Sequence, residues 1–76
     1  MKKADFLLLL EDVIEADPHT LTGNEILRQV DGWDSMAVMG FIALVDEQFD
    51  LNLAPKRISE CKTVDDLIAL LGDRIA

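Results

Sequence analysis

Three stretches of this 76-residue chain repeat their apolar residues at three- and four-residue spacings, and no stretch of any length alternates apolar with polar. That rhythm is one face of an α-helix, so the chain reads as all-α. The first stretch predicts a helix from Lys3 to Ala16. Phe6, Leu9, Leu10, Val13 and then Ile14 or Ala16 turn inward, and Asp5, Glu11, Asp12 and Glu15 take the other side. Asp17-Pro18 stops it, because the residue before a proline disfavours helical dihedrals. The second and strongest stretch runs from Ser35 to Phe49, with a core seam of Val38, Ile42, Val45 and Phe49 widened by Phe41. Pro55 opens a short third helix to about Cys61, with Ile58 facing in, since its missing N–H is not needed at a first helical position. Thr63 caps a fourth helix, Asp66 three residues later completes a capping-box pattern, and Val64, Leu67, Ile68 and Leu71 repeat until Gly72 ends the regular part.

Between the first two helices, His19 to Asp34 reads as a long loop. Thr20, Thr22, Gly23, Asn24 and Gly32 form turns, Leu21, Ile26, Leu27 and Val30 pin it to the helices, and Glu25 to Gln29 can make one short helical turn. A loop of this length in so small a domain marks a functional or a packed segment. The sum is one domain over residues 1–76, a small four-helix bundle of three main helices plus a short third, with a long loop between helices one and two.

Size and charge narrow the function. A chain this short has no room for a deep cleft between two lobes. Fifteen acids against seven bases, a net charge of −8, repel nucleic acid and anionic membrane surfaces and favour basic protein partners, besides keeping an apolar domain soluble. Cys61 is the single cysteine, which suits a reducing compartment. Met1-Lys2-Lys3 followed by Phe6 to Leu10 falls short of a secretion signal, since acids follow at once, and no segment is long enough to span a membrane. The cytoplasm and a monomer are the expectation.

Catalytic constellations fail one by one. One histidine, one cysteine and scattered acids give no metal-ligand spacing. His19 reads as a solvated loop residue and Cys61 as a small packed side chain. What remains is Gly32-Trp33-Asp34-Ser35-Met36. It sets a serine at the first turn of the strongest helix, beside unpaired N–H groups and the positive end of the helix dipole. That place suits a covalently held phosphate, and it equally suits plain N-capping. Trp33 just before it packs under the loop or braces whatever the serine carries.

Here the chain resembles the acyl carrier protein family. Gly32-Trp33-Asp34-Ser35-Met36 is similar to the family's Asp-Ser attachment motif, Val45-Asp46-Glu47-Gln48-Phe49 to the acidic end of its second helix, and Thr63-Val64-Asp65-Asp66-Leu67 to the start of its fourth. The order of elements agrees over nearly the whole chain. The resemblance implies that the chain is no enzyme. A phosphopantetheinyl transferase, using coenzyme A and magnesium, would attach 4′-phosphopantetheine to Ser35. The arm's thiol would carry an acyl thioester to and from a ligase, a ketosynthase or an acyltransferase in fatty-acid or polyketide biosynthesis. It also gives Asp34 a role in recognition by the transferase.

At 100° per residue, Met36, Met39, Gly40, Ala43 and Glu47 share the outer side of the second helix and form the expected docking face, joined by Asp34 and Asp46. The face departs from the family, which places more acids there, and Lys56 and Arg57 stand where the third helix is commonly acidic. Docking then leans on apolar and shape contacts, with methionines adapting to partners. Val38, Ile42, Leu53, Ile58 and Leu67 are candidates to line a space for the acyl chain, and each is also an ordinary core position. Two other readings stand beside the acyl carrier. One is a peptidyl or D-alanyl carrier, disfavoured because paired glycines before the serine are missing. The other is a helical interaction module in which Ser35 is only a cap, so that Ser35→Ala costs about 1 kcal/mol and no covalent chemistry.

Overall fold

Phe6 is wholly buried, and its ring meets Phe41 edge-on at 6.1 Å and Phe49 at 6.1 Å. This aromatic cluster joins the first helix to the second. The computed structural model describes residues 1–75, and Ala76, the end of the expected domain, lies outside the described residues. Four helices follow in order: α1 (Lys3–Val13), α2 (Ser35–Phe49), α3 (Pro55–Ser59) and α4 (Val64–Ala69), with 3₁₀ turns at Leu27–Gln29 and Gly72–Arg74. Among the described residues there is no strand, and one isolated antiparallel bridge pairs Ile26 with Thr63. The core is one cluster to which α1, the loop, α2, α3 and α4 all contribute.

The four helices sit where periodicity puts them, and several details correct the sequence reading. α1 ends before Asp17-Pro18. Glu15 turns left-handed (φ 58°), its N–H donates to the Asp12 carbonyl, and the Ala16 N–H donates to the Glu11 carbonyl at 2.8 Å. This is a Schellman ending, and the proline lies beyond a helix that has already stopped. α3 stops at Ser59 rather than Cys61, and α4 at Ala69, after which Gly72 begins a 3₁₀ turn instead of closing the regular part.

The inward faces also shift. In α2 the buried residues are Ala37, Phe41, Leu44 and Val45, whereas Val38, Ile42 and Phe49 are half-buried. The seam is rotated by about one residue from the expected one. In α1 the buried residues are Phe6, Leu7, Leu10 and Glu11, followed by Ile14 at the C-cap, with Leu9 and Val13 half-buried.

Glu11 is the largest correction. Expected on the solvent side, it is 2% exposed. Its two carboxylate oxygens accept the backbone N–H groups of His19 (3.1 Å) and Leu21 (2.7 Å). A buried carboxylate is tolerated only when such donors replace water, and here they come from the loop that the helix must hold. The loop is then closed locally by Glu25, which accepts from the N–H groups of Thr22 and Gly23 and from the Thr22 hydroxyl. Its far side is tied to the α4 start by Leu27 N–H to the Lys62 carbonyl (2.8 Å) and Val64 N–H to the Glu25 carbonyl (3.1 Å). The expected capping box is present: Thr63 accepts from the Asp66 N–H, and the Asp66 carboxylate accepts from the Thr63 and Lys62 N–H groups.

Two predictions follow from these carboxylates. Replacing Glu11 with Leu leaves two loop amides without an acceptor: the buried one of Leu21, worth about 1–3 kcal/mol when unpaired, and the partly buried one of His19, which water can reach and which costs less. Urea unfolding of Glu11→Leu will show a loss of about 2 kcal/mol or more, and Glu11→Gln a smaller one. The second concerns acid. Against the penalty of burial, the Gly23 and Thr22 amides hold the Glu25 carboxyl below its usual range. The Lys62 and Thr63 amides do the same for Asp66. Both groups are more acidic folded than unfolded, so their contribution is present above the ordinary carboxylate range and is lost as pH falls below about 4. Stability measured against pH will drop there, and the drop will be shallower in Glu25→Gln and Asp66→Asn.

Candidate functional site

The start of α2 is fixed by what precedes it. Gly32 has φ 88°, and a Cβ placed on it would lie 2.6 Å from the backbone carbonyl oxygen of Ile14. Glycine is therefore required twice over, by the dihedral and by the close approach to the end of α1. Trp33 follows, half-buried, with its ring edge-on to Phe41 at 6.3 Å. It packs against α2 and the core rather than standing free in solvent. These contacts hold the next two residues at the surface against a rigid base.

Asp34 is the N-cap. Its backbone is extended, its Oδ1 accepts the Ala37 N–H at 2.9 Å, and its carbonyl accepts the Val38 N–H at 3.0 Å. Ser35 is thus the first helical residue and not the cap. This overturns the reading in which the serine hydroxyl caps the helix. Among the described residues that hydroxyl has no protein partner, and neither have the Ser35 and Met36 amides, so a free hydroxyl stands beside two free donors at the positive end of a fifteen-residue helix. Ser35 and Asp34 are both exposed. The arrangement offers an unencumbered oxygen nucleophile and a donor set suited to phosphate oxygens.

Around it, Met36 is 80% and Met39 71% exposed. With Ala43, Asp46 and Glu47, also exposed, they form a continuous outer strip along α2. Gly40 differs from the other residues expected there. It is half-buried, and a Cβ on it would sit 2.9 Å from Val13 Cγ1. It is a contact that lets α1 and α2 close together, and the strip runs beside it. Lys56 and Arg57 are exposed on α3. Leu53, Ile58 and Leu67 are buried, and Val38 and Ile42 are half-buried against the core. Three open clefts, around the loop and the α1–α2 contact, are lined by residues other than these five. His19 is exposed, held in place by its own N–H on Glu11. Cys61 is half-buried. Burial pushes its thiol up, Asp66 and Glu60 push further and Arg57 opposes them, which is the reverse of an activated nucleophile.

The family description "Phosphopantetheine attachment site" matches residues 5–71. The chain belongs to the phosphopantetheine-attachment family. It is accordingly a carrier that holds 4′-phosphopantetheine covalently and is not itself an enzyme. No curated protein and no solved structure matches the chain. The free hydroxyl and free amides at the α2 start fit such a group. No helix of the described carrier is long and apolar enough to cross a membrane.

Sequence reasoning missed the anchoring work of Glu11 and Gly32. Glu11 does carry a signal, since it falls in the apolar stripe four residues after Leu7 and three before Ile14. For Gly32 the sequence shows a turn former, and the carbonyl it must avoid belongs to a residue far along the chain. The capping geometry yields a test that separates neighbouring residues. Asp34→Ala will lower unfolding stability by about 1 kcal/mol, and Ser35→Ala will stay within about 0.5 kcal/mol of the parent, both read by chemical denaturation.

Proposed function

We propose that Ser35 is the attachment residue and that the carrier's cargo is an acyl group. The observation that supports this most is the division of labour at the α2 start. Asp34 caps the helix through Ala37, and the Ser35 hydroxyl is left exposed and unbonded. In the loading step the Ser35 oxygen forms the new bond to phosphorus, displacing 3′,5′-ADP from coenzyme A, and its proton leaves to a base on a separate phosphopantetheinyl transferase. The free amides of Ser35 and Met36, at the dipole's positive end, then face the phosphodiester. The arm supplies a terminal thiol on which cargo is held as a thioester.

Acyl cargo is favoured over aminoacyl cargo because the run before the serine is Gly32-Trp33-Asp34 and lacks paired glycines. Trp33 fills that place and packs on Phe41. The partners are the loading and processing enzymes of fatty-acid or polyketide-type biosynthesis: ligase, ketosynthase and acyltransferase. They dock on the outer strip of α2, where Met36 and Met39 supply adaptable apolar contact and Asp46 and Glu47 the charge. Asp34, exposed beside the serine, adds recognition by the transferase to its capping. The carrier works as a cytoplasmic monomer, and its net charge of −8 disfavours nucleic acid and anionic lipid as partners.

The test is intact-protein mass after incubation with coenzyme A, magnesium and a broad-specificity phosphopantetheinyl transferase. The parent will gain one phosphopantetheine unit and Ser35→Ala none, with both folded. Gain in the mutant would move the attachment to another residue. Loading of the product by an acyl ligase rather than an amino-acid-activating enzyme reads the cargo class.

A further inference from the structure

The seven bases of this acidic chain are unevenly placed. Arg28, Lys56, Arg57 and Lys62 lie on the loop and the α3–α4 segment, all exposed. None of the four is ion-paired among the described residues, where Lys3 with Asp65 at 2.8 Å is the salt bridge formed. Arg28 and Lys62 line one open cleft of about 600 Å³, together with Ile26, Ser59, Cys61 and Thr63. Its walls are held at a fixed spacing by the Ile26–Thr63 bridge and by Leu27 N–H on the Lys62 carbonyl. Ile26 is 42% exposed, a large apolar side chain left at the rim. Arg57 stands near enough for its charge to act on Cys61.

Three acids are neighbours of the cleft residues. Glu60 is exposed, Glu25 is committed to the Thr22 and Gly23 amides, and Asp66 is committed to the Lys62 and Thr63 amides, where the Lys62 charge also acts on it. None of the three lines the cleft. The result is an apolar recess with a cationic rim, on a chain whose net charge is −8.

Such a recess selects its occupant by charge. An extended polyanion or a flat anionic membrane touching Arg28 and Lys62 would also meet the acids that outnumber the bases over the rest of the surface. A short acidic segment of a protein meets only the local rim. We propose that this cleft docks a short acidic segment of a partner protein, with one apolar side chain seated between Ile26 and Cys61 and flanking carboxylates on Arg28 and Lys62. The surface shares no residue with the exposed strip of α2. It therefore gives the carrier a second recognition element of opposite sign, by which partners with an acidic segment are told apart from those with basic faces. The docking does not depend on Ser35 or its arm.

The probe is a capped pentapeptide of four acidic residues around a leucine, titrated into the ¹⁵N-labelled full chain at low salt. Amide shifts will be confined to residues 26–28 and 57–63 and will saturate. They will be lost in the Arg28→Gln, Lys62→Gln double variant, whose side chains make no hydrogen bond that the fold uses. They will be unchanged in Ser35→Ala, so failure of the attachment reading leaves this result standing. The same peptide with lysines for its acids will give no such shifts. The proposal is overturned if the acidic peptide moves other residues or none, or if the double variant responds like the parent. It is equally overturned if vesicles of anionic phospholipid shift these amides more than the peptide does, which would make the rim a lipid contact.

Discussion

The carboxylate of Glu11 is the point from which the rest of the molecule is held. α1 and α2 pack through their apolar faces, and that contact needs no special chemistry. The chain between them is different. It runs from Glu15 to Asp34 with one turn of 3₁₀ helix, so most of its amides have no partner from secondary structure. By burying a carboxylate among Leu7, Leu10 and Ile14 and giving both oxygens to the amides of His19 and Leu21, the fold converts that deficit into an anchor. His19 is left-handed (φ 66°), a conformation that costs a non-glycine residue about 1 kcal/mol. The hydrogen bond it donates to Glu11 is what that conformation gains. Downstream, Leu21 and Leu27 are drawn into the core and Gly32 comes down onto the Ile14 carbonyl. The position of Ser35 is thus inherited, through the loop, from a side chain on another helix.

Element by element, the sequence was legible where signals were local. The α2 boundaries, Ser35 and Phe49, fall where an Asp-Ser pair and an Asp-Leu-Asn exit put them. The capping box at Thr63 and Asp66 and the proline opening of α3 are also as read. Phase was less legible than extent. From Met36 to Val45, α2 is apolar at every position but Gly40, so several seams fit the pattern. The choice among them is made by Phe6 and the other residues that α2 packs against, which local periodicity does not contain. Glu11 failed for a related reason. A charged residue is assigned to solvent unless donors are known, and its donors are backbone groups of residues eight and ten positions away. α1 likewise ends by a left-handed Glu15, a residue without glycine's freedom, so the visible proline drew attention past the true end.

The candidate site was legible in identity but not in its division of labour. Asp34 and Ser35 were both recognised, and either could have capped the helix. Sequence alone leaves them interchangeable, because each residue type accepts from an N2 or N3 amide. The register of the helix decides. Asp34 is extended and reaches Ala37, which makes Ser35 the first helical residue, with its side chain free. Gly40 shows the converse. Its outer angular position suggested a docking contact, yet its lack of a side chain is used by Val13 to bring α1 close.

That division has a consequence for any covalent change at the serine. A hydroxyl that capped the helix would lose its acceptor geometry on being esterified, and the helix start would weaken by about the value of a cap, ~1 kcal/mol. In a domain this small that is a sizeable part of the total stability, which is of order 5–15 kcal/mol for folded domains generally. With Asp34 holding the Ala37 amide, the Ser35 oxygen carries no structural duty, and derivatisation leaves the backbone bonds of the first turn intact. The neighbouring carboxylate does set a negative charge close to where a phosphodiester would lie, at an energetic cost. The cost is moderated because the Asp34 charge is already engaged with the first turn, while the Ser35 and Met36 amides remain free to face the second anion. Two anions can share one helix terminus when they use different donors. The exposed serine, the capping aspartate and the two unclaimed amides satisfy that condition.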